Sequence, residues 1–185
     1  MVPFLQVLLP IVVAAVAVFI ASSISHMLLP HHRNDFTKIP SEDEVMDAMR
    51  KFSPPYGDYI IPAPPGANAM KDPSYMEKVN KGPIMVMTVM PNRFGDMGKL
   101  LGIWFVYLLI VMALAGHATQ MVVGYGAPNH DVFHTIFLFV FAGMGLALMQ
   151  NSIWYARKWS TTFKSLIDAA VYAAIAAGIF VWLWP

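Results

Sequence analysis

The sequence predicts an all-α membrane protein: a four-transmembrane-helix bundle with a small α+β cytoplasmic cap between helices 1 and 2. Two observations carry this reading. Of the 185 residues, 57% are hydrophobic and only 12% are charged, about half the charged share of an ordinary globular domain. Four stretches are also long and apolar enough to cross a hydrocarbon core of roughly 30 Å, which takes about 20 helical residues. They run over 4–29, 100–121, 132–153 and 166–184. The organisation that follows is 1–29 as transmembrane helix 1, 30–98 as the membrane-surface cap and 99–185 as transmembrane helices 2–4.

No basic side chain precedes Phe4, so the first span lacks the charged start of a signal peptide and is expected to stay as an anchor. Basic residues set the orientation, because Lys and Arg accumulate in cytoplasmic loops. Arg33, Lys38, Arg50, Lys51, Lys71, Lys78, Lys81, Arg93 and Lys99 fall in or beside 30–98, and Arg157, Lys158 and Lys164 follow span three. That accounts for all 12 Lys and Arg. Both termini are therefore expected outside, in the periplasm of a bacterial inner membrane. Aromatic belts agree: Trp104, Trp154, Tyr155 and Trp159 at the inner interface, Tyr125, Trp182 and Trp184 at the outer one.

Within the cap, Ser41 and Glu44 read as a capping box ahead of Val45, Met46, Met49 and Phe52, which share one helical face. Pro54 and Pro55 stop that helix. A short strand over 59–61 leads to a turn at Pro62, Pro64, Pro65 and Gly66. Asp72 caps a second helix with Pro73 at its first position and Gly82 past its end. The apolar run 84–90 lies between Pro83 and Pro91 and reads as a buried strand or an interfacial segment.

A short set of residue types is left to carry chemistry. The chain has no cysteine and a net charge of +1, which excludes thiolate metal sites and disulfides and gives no basic field for nucleic acid. Phosphate-cradling Gly loops and nucleophilic triads are absent. On the outer side, His130 and His134 share a helical face with Asp131 between them, and His117 stands at about the same level on span two. Such a set would suit zinc, copper or non-haem iron, and a His117–His134 pair could ligate haem. The simpler reading, which is favoured, makes Asn129 and Asp131 a helix cap and the histidines interfacial.

His26, His31 and His32 end the first span beside Arg33 and read as interface anchors, with lipid-phosphate contact or pH sensing behind. Met85, Met87 and Met90 could hold copper(I), but packing explains them. Asp168 invites scrutiny as an intramembrane acid. Placed near the start of its helix, it is expected to pair with Lys164 one turn earlier. Gln150 and Asn151 enter from the same level and would join them in a polar network between spans three and four. No span carries a Gly and Pro interruption at mid-membrane, which counts against transport. In span four, Ala169, Ala173 and Ala177, and likewise Ala170, Ala174 and Gly178, form small-residue faces suited to close helix packing within the bundle or against another subunit.

Ser152, Ile153, Trp154, Tyr155, Lys158, Trp159, Thr162, Lys164 and Asp168, with Gly57, Tyr59, Pro62, Lys81, Gly82, Pro83 and the run 88–92, resemble a family of small bacterial inner-membrane proteins with four transmembrane helices. The resemblance covers most of the chain and includes Lys164 and Asp168, but not His117, His130 or His134. It implies localisation and span number, and no activity. The expected function is a non-catalytic accessory or assembly subunit of a larger membrane complex. Its partners would be the lipid bilayer and other membrane subunits or a second copy, with no nucleic acid and no cofactor. The alternatives are a metal- or haem-binding redox protein and a small transporter or proton-linked channel.

Overall fold

The computed structural model describes residues 2–92 and 95–185; Arg93, one of the basic residues counted above, lies outside them. The helices in chain order are α1 Leu8–Met27, α2 Glu42–Phe52, α3 Pro73–Lys81, α4 Met97–Val122, α5 Asn129–Met144, α6 Met149–Tyr155 and α7 Trp159–Leu183; the strands are β1 Gly57–Ile61 and β2 Met85–Val89. They form two compact units, Met1–Phe36 with Asp96–Pro185, and Thr37–Gly95.

The first unit contains the four spans, Phe4–Met27, Met97–Val122, Asn129–Tyr155 and Trp159–Leu183. They close a packing cycle in which α1 and α5 each lie against both α4 and α7. Leu108, Met112, Ile136, Val140, Ala177 and Phe180 are wholly buried at its centre. Lipid solvates apolar side chains as well as a neighbouring helix does, so shape fit rather than water exclusion holds such a bundle together. Gly116 shows the fit: a Cβ there would stand 3.1 Å from Phe180 and 3.2 Å from Ile11, so α1, α4 and α7 meet at this glycine. Of the two small-residue faces, Ala169, Ala173 and Ala177 are buried inside the bundle, whereas Ala174 and Gly178 are exposed and Ala170 is half-buried.

Polar ties cross between the spans. The Tyr107 hydroxyl donates to the Gly143 carbonyl at 3.1 Å, the Trp104 indole donates to Ser22 Oγ at 3.0 Å, and Ser152 and Thr162 hydroxyls share a hydrogen at 2.6 Å. At the opposite end Trp184 donates to the Gly124 carbonyl.

Two expectations about the spans need correction. The third span is not one continuous helix: α5 ends at Met144, a 3-10 turn covers Leu146–Leu148, and α6 resumes at Met149. The break falls at Gly145, which packs so closely that a Cβ there would stand 3.0 Å from both Ala169 Cβ and the Phe141 carbonyl. The fourth span begins at Trp159, not at 166. In its first turns, rich in Ser and Thr, Ser165 donates to the Thr161 carbonyl and Thr162 bonds to Ser152.

The second unit holds α2, α3 and one antiparallel pair in which Gly57 faces Val89 and Ile61 faces Met85. Asp72 caps α3 as expected, accepting from the Ser74 N–H at 2.9 Å, and Gly82 ends it at φ 62°. The Ser41 box does not form: Ser41 is left-handed at φ 50° and makes no side-chain cap bond. The first turn of α2 is instead acidic, with Glu42, Asp43 and Glu44 against the positive end of the helix dipole. The run 84–90 does contain a strand, though none of its residues is buried within the chain.

Candidate metal centre

Asp168 is the pivot of the site. It lies nine residues beyond Trp159 in α7, roughly 13 Å along the axis, and is buried. It is therefore inside its span rather than at the start. An acid at such a position needs partners, because an unpaired buried charge is costly.

The partners come from the other end of the chain. Pro30 cannot continue α1. The Leu28 and Leu29 N–H groups close onto the Ile24 carbonyl, and the 3-10 turn Pro30–His32 carries the chain round. Arg33 N–H bonds back to Pro30 and Asp35 N–H to His32, so His31, His32 and Asp35 are wound toward α7.

Two shells result. His32 Nε2 lies 2.6 Å from Asp168 Oδ2, and His26 Nε2 lies 4.0 Å from the same oxygen. The other carboxylate oxygen, Oδ1, accepts from Ser25 at 3.1 Å and faces His31 Nε2 at 3.3 Å. Behind His32, its Nδ1 lies 2.6 Å from Asp35 Oδ2, and Lys164 donates to Asp35 Oδ1 at 2.8 Å. The rings of His26 and His32 are stacked at 4.5 Å.

Both nitrogens of His32 thus face carboxylates. Burial pulls its pKa down, but the hydrogen bonds and charges of Asp168 and Asp35 outweigh this and raise it. Burial likewise pushes Asp35 up, and the Lys164 and His32 hydrogen bonds overcome it, holding Asp35 below the usual carboxylate range. The order Lys164, Asp35, His32, Asp168 alternates in sign, which is what lets these groups be buried together.

Among the described residues, one group of three or more possible metal ligands converges. It is His26, His32 and Asp168, whose ligand atoms all lie within 4.8 Å of one another. Two imidazoles and a carboxylate suit first-row divalent ions. Ligands held at 2.0–2.1 Å in a tetrahedron sit about 3.3 Å apart, a spacing that the observed 2.6 and 4.0 Å bracket. Asp35 stands where a ligating histidine's supporting carboxylate belongs.

A cavity of about 120 Å³ opens beside these groups, lined by His26, Asp168, Tyr172, Ser165, Trp104 and Met144 among others. The broken third span forms part of its wall, through Met144 and Leu148. Irregular backbone at membrane depth is tolerated where it lines a cavity, and the third span, expected without interruption, has such a break at Gly145 and Leu146–Leu148.

The expected sites are placed differently. His130 and His134 do share a face, with ring centroids 4.2 Å apart, and Asp131 lies 3.3 Å from His130. His117 does not join them: its Nδ1 meets Gln120 Nε2 at 2.7 Å and its ring meets Phe4. All three histidines are exposed. Lys164 pairs with Asp35, not Asp168. Gln150 is exposed, Asn151 is half-buried, and neither side chain bonds to Lys164 or Asp168 among the described residues. The polar link between the third and fourth spans is Ser152 to Thr162 instead. The missed signal was compositional: His26, His31, His32 and Asp35 within ten positions, at the end of a span that shares its level with Asp168.

No family model, no curated protein and no solved structure matches the chain.

Proposed function

We propose that this multi-pass membrane protein binds a first-row divalent metal ion through His26, His32 and Asp168. The observation that carries the reading is the convergence of two imidazoles and a carboxylate with Asp35 braced behind His32. The ion takes the lone pair that otherwise holds the His32 Nε2 proton, while Nδ1–H stays on Asp35. With that proton replaced by a dication, Asp168 and Asp35 remain compensated inside the membrane boundary.

The site lies at the end of the bundle that bears the basic residues. By the positive-inside rule that end is cytoplasmic and both termini are periplasmic, in a bacterial inner membrane as the family resemblance implies. For an accessory-subunit role, the Ala169, Ala173 and Ala177 face of span four is used up within the chain, and only the face of Ala170, Ala174 and Gly178 is left to meet another subunit.

The test is zinc binding by purified protein in detergent, against a competing chelator. Wild type should bind stoichiometrically. His32→Gln and Asp168→Asn should lose binding, and His130→Ala with His134→Ala should keep it. Size-exclusion profiles and far-UV circular dichroism establish that the variants fold. Wild-type protein that cannot hold zinc against a weak chelator, or loss on removing His130 and His134 instead, ends the proposal.

A further inference from the structure

We infer that the metal has an open coordination position facing the cavity, which takes a small anionic ligand that Tyr172 holds by a hydrogen bond. This rests on the metal reading above and goes further, since it makes the site exchangeable and reactive rather than structural.

The ligand count gives the first argument. His26 and His32 both face Oδ2 of Asp168, whereas His31 and Ser25 face Oδ1. His31 thereby belongs to the support of the carboxylate, alongside Ser25, and three protein ligands remain. Closed structural zinc sites use four; three protein ligands with one open position is the arrangement of reactive ones.

Tyr172 gives the second. It is 4% exposed, lines the same cavity as His26 and Asp168, and its hydroxyl has no hydrogen-bond partner among the described residues. Ser25 is the polar side chain beside that hydroxyl; it donates to Asp168, and its approach to Tyr172 falls outside hydrogen-bond geometry. A buried hydroxyl without a partner costs on the order of 1–3 kcal/mol, so its persistence beside a cavity points to a ligand or ordered water. The cavity, about 120 Å³, accepts several waters or one small anion and excludes a bulky substrate. The remaining wall comes from Ser165 and from the mainly apolar Trp104, Met144, Leu148 and Ala169, whose low polarity strengthens a metal–anion bond.

The experiment uses the full chain loaded with cobalt(II) and titrated with azide, read by the visible ligand-field bands. Wild type should show four-coordinate cobalt bands that shift and saturate with azide. Tyr172→Phe, which keeps ring and volume, should bind cobalt equally well but azide roughly tenfold or more weakly, the loss of one hydrogen bond to a charged acceptor. Cobalt bands that azide leaves unchanged would show a closed site and overturn this inference alone. Equal azide affinity in wild type and Tyr172→Phe overturns the assignment of Tyr172. Failure of wild type to bind cobalt at all would overturn the metal reading itself.

Discussion

Lys164 donates to Asp35 at 2.8 Å, joining the seventh helix to the turn after the first. The lysine does not touch the site; it fixes the carboxylate that orients His32. Removing that orientation should weaken metal binding without removing a ligand. Asp35→Asn is expected to lower zinc affinity about 10–100-fold, measured by chelator competition. An unchanged affinity would mean that His32 is held by something else. Lys164→Met should destabilise the fold by about 1–2 kcal/mol in detergent melts. That is less than a buried pair's ~3–5 kcal/mol, because the lysine is 30% exposed and so partly solvated.

Gly145 gives a sharper structural test. Its ideal Cβ would meet backbone and a short side chain, neither of which can swing away, at 3.0 Å. Gly145→Ala is therefore expected to cost about 1–3 kcal/mol as overpacking. It should also disturb Asp168, the neighbour of the Ala169 it presses on. Gly102→Ala is the control, since nothing lies within 4 Å of its Cβ; there the helix gains up to about 1 kcal/mol from propensity. Thermal unfolding of the two variants in one detergent checks the pair, and equal melting points would remove the strain argument.

The bundle core should respond less than a water-soluble core of the same size. Phe180 is completely buried and touches the Gly116 position. In water Phe→Ala costs about 3–5 kcal/mol, part transfer and part cavity. Separated helices expose Phe180 to lipid, so most of the transfer part disappears and about 1–3 kcal/mol of lost packing remains. Gly116→Leu attacks the same contact from the other side. It should be worse than Phe180→Ala, because three helices must separate to admit it. Reversible unfolding in mixed micelles gives both values; a Phe180→Ala cost at the full aqueous figure would contradict a lipid-facing reference state.

How much of this was legible follows from the range of each signal. Hydropathy is local, so four spans could be read directly. The start of α7 could not, because 159–165 is rich in Ser and Thr and carries little hydropathy signal. Seven missing residues moved Asp168 from the interior of its helix to the edge, and Lys164 then seemed its natural partner. The true partners are 136 and 137 positions away, a separation no spacing rule reaches. The span that carries His117 or His134 was readable, but rotation about each helix was not. His117 turns to Phe4 and Gln120. The Asp72 cap was legible because residue identity and spacing alone specify it.

That cap offers a titration whose sign is fixed by geometry. Asp72 accepts from both the Ser74 hydroxyl and the Ser74 N–H, and these bonds hold its pKa below the usual carboxylate value. Its contribution to α3 is thus fully present above the ordinary carboxylate pKa and is lost as pH falls through the lower, folded value. Carboxyl carbon NMR should place the Asp72 midpoint below that of a free aspartate. Ser74→Ala should move it upward, since one of the two donors is gone. A midpoint unaffected by Ser74 would mean that the hydroxyl bond does not persist in solution.

The topology can be decided with unusual clarity because the chain has no cysteine, so every introduced thiol reports alone. Tyr125 and Ala67 make a suitable pair. Tyr125 is exposed in the link between α4 and α5, while Ala67 is exposed in the Thr37–Gly95 unit. In the sequence all twelve Lys and Arg lie in or beside 30–98 or in the link after span three and the start of span four, and none in the N-terminus, the 122–131 link or the C-terminus. Reversing the chain would carry them all to the disfavoured side, at a cost set by loop charge and not by span hydropathy. In intact cells whose outer membrane has been permeabilised, Tyr125→Cys should react with a membrane-impermeant maleimide and Ala67→Cys should not. After lysis both should react. If Ala67→Cys labels in intact cells while Tyr125→Cys is protected, the orientation is inverted and the metal centre faces the periplasm. The ion would then have to be supplied from outside the cell.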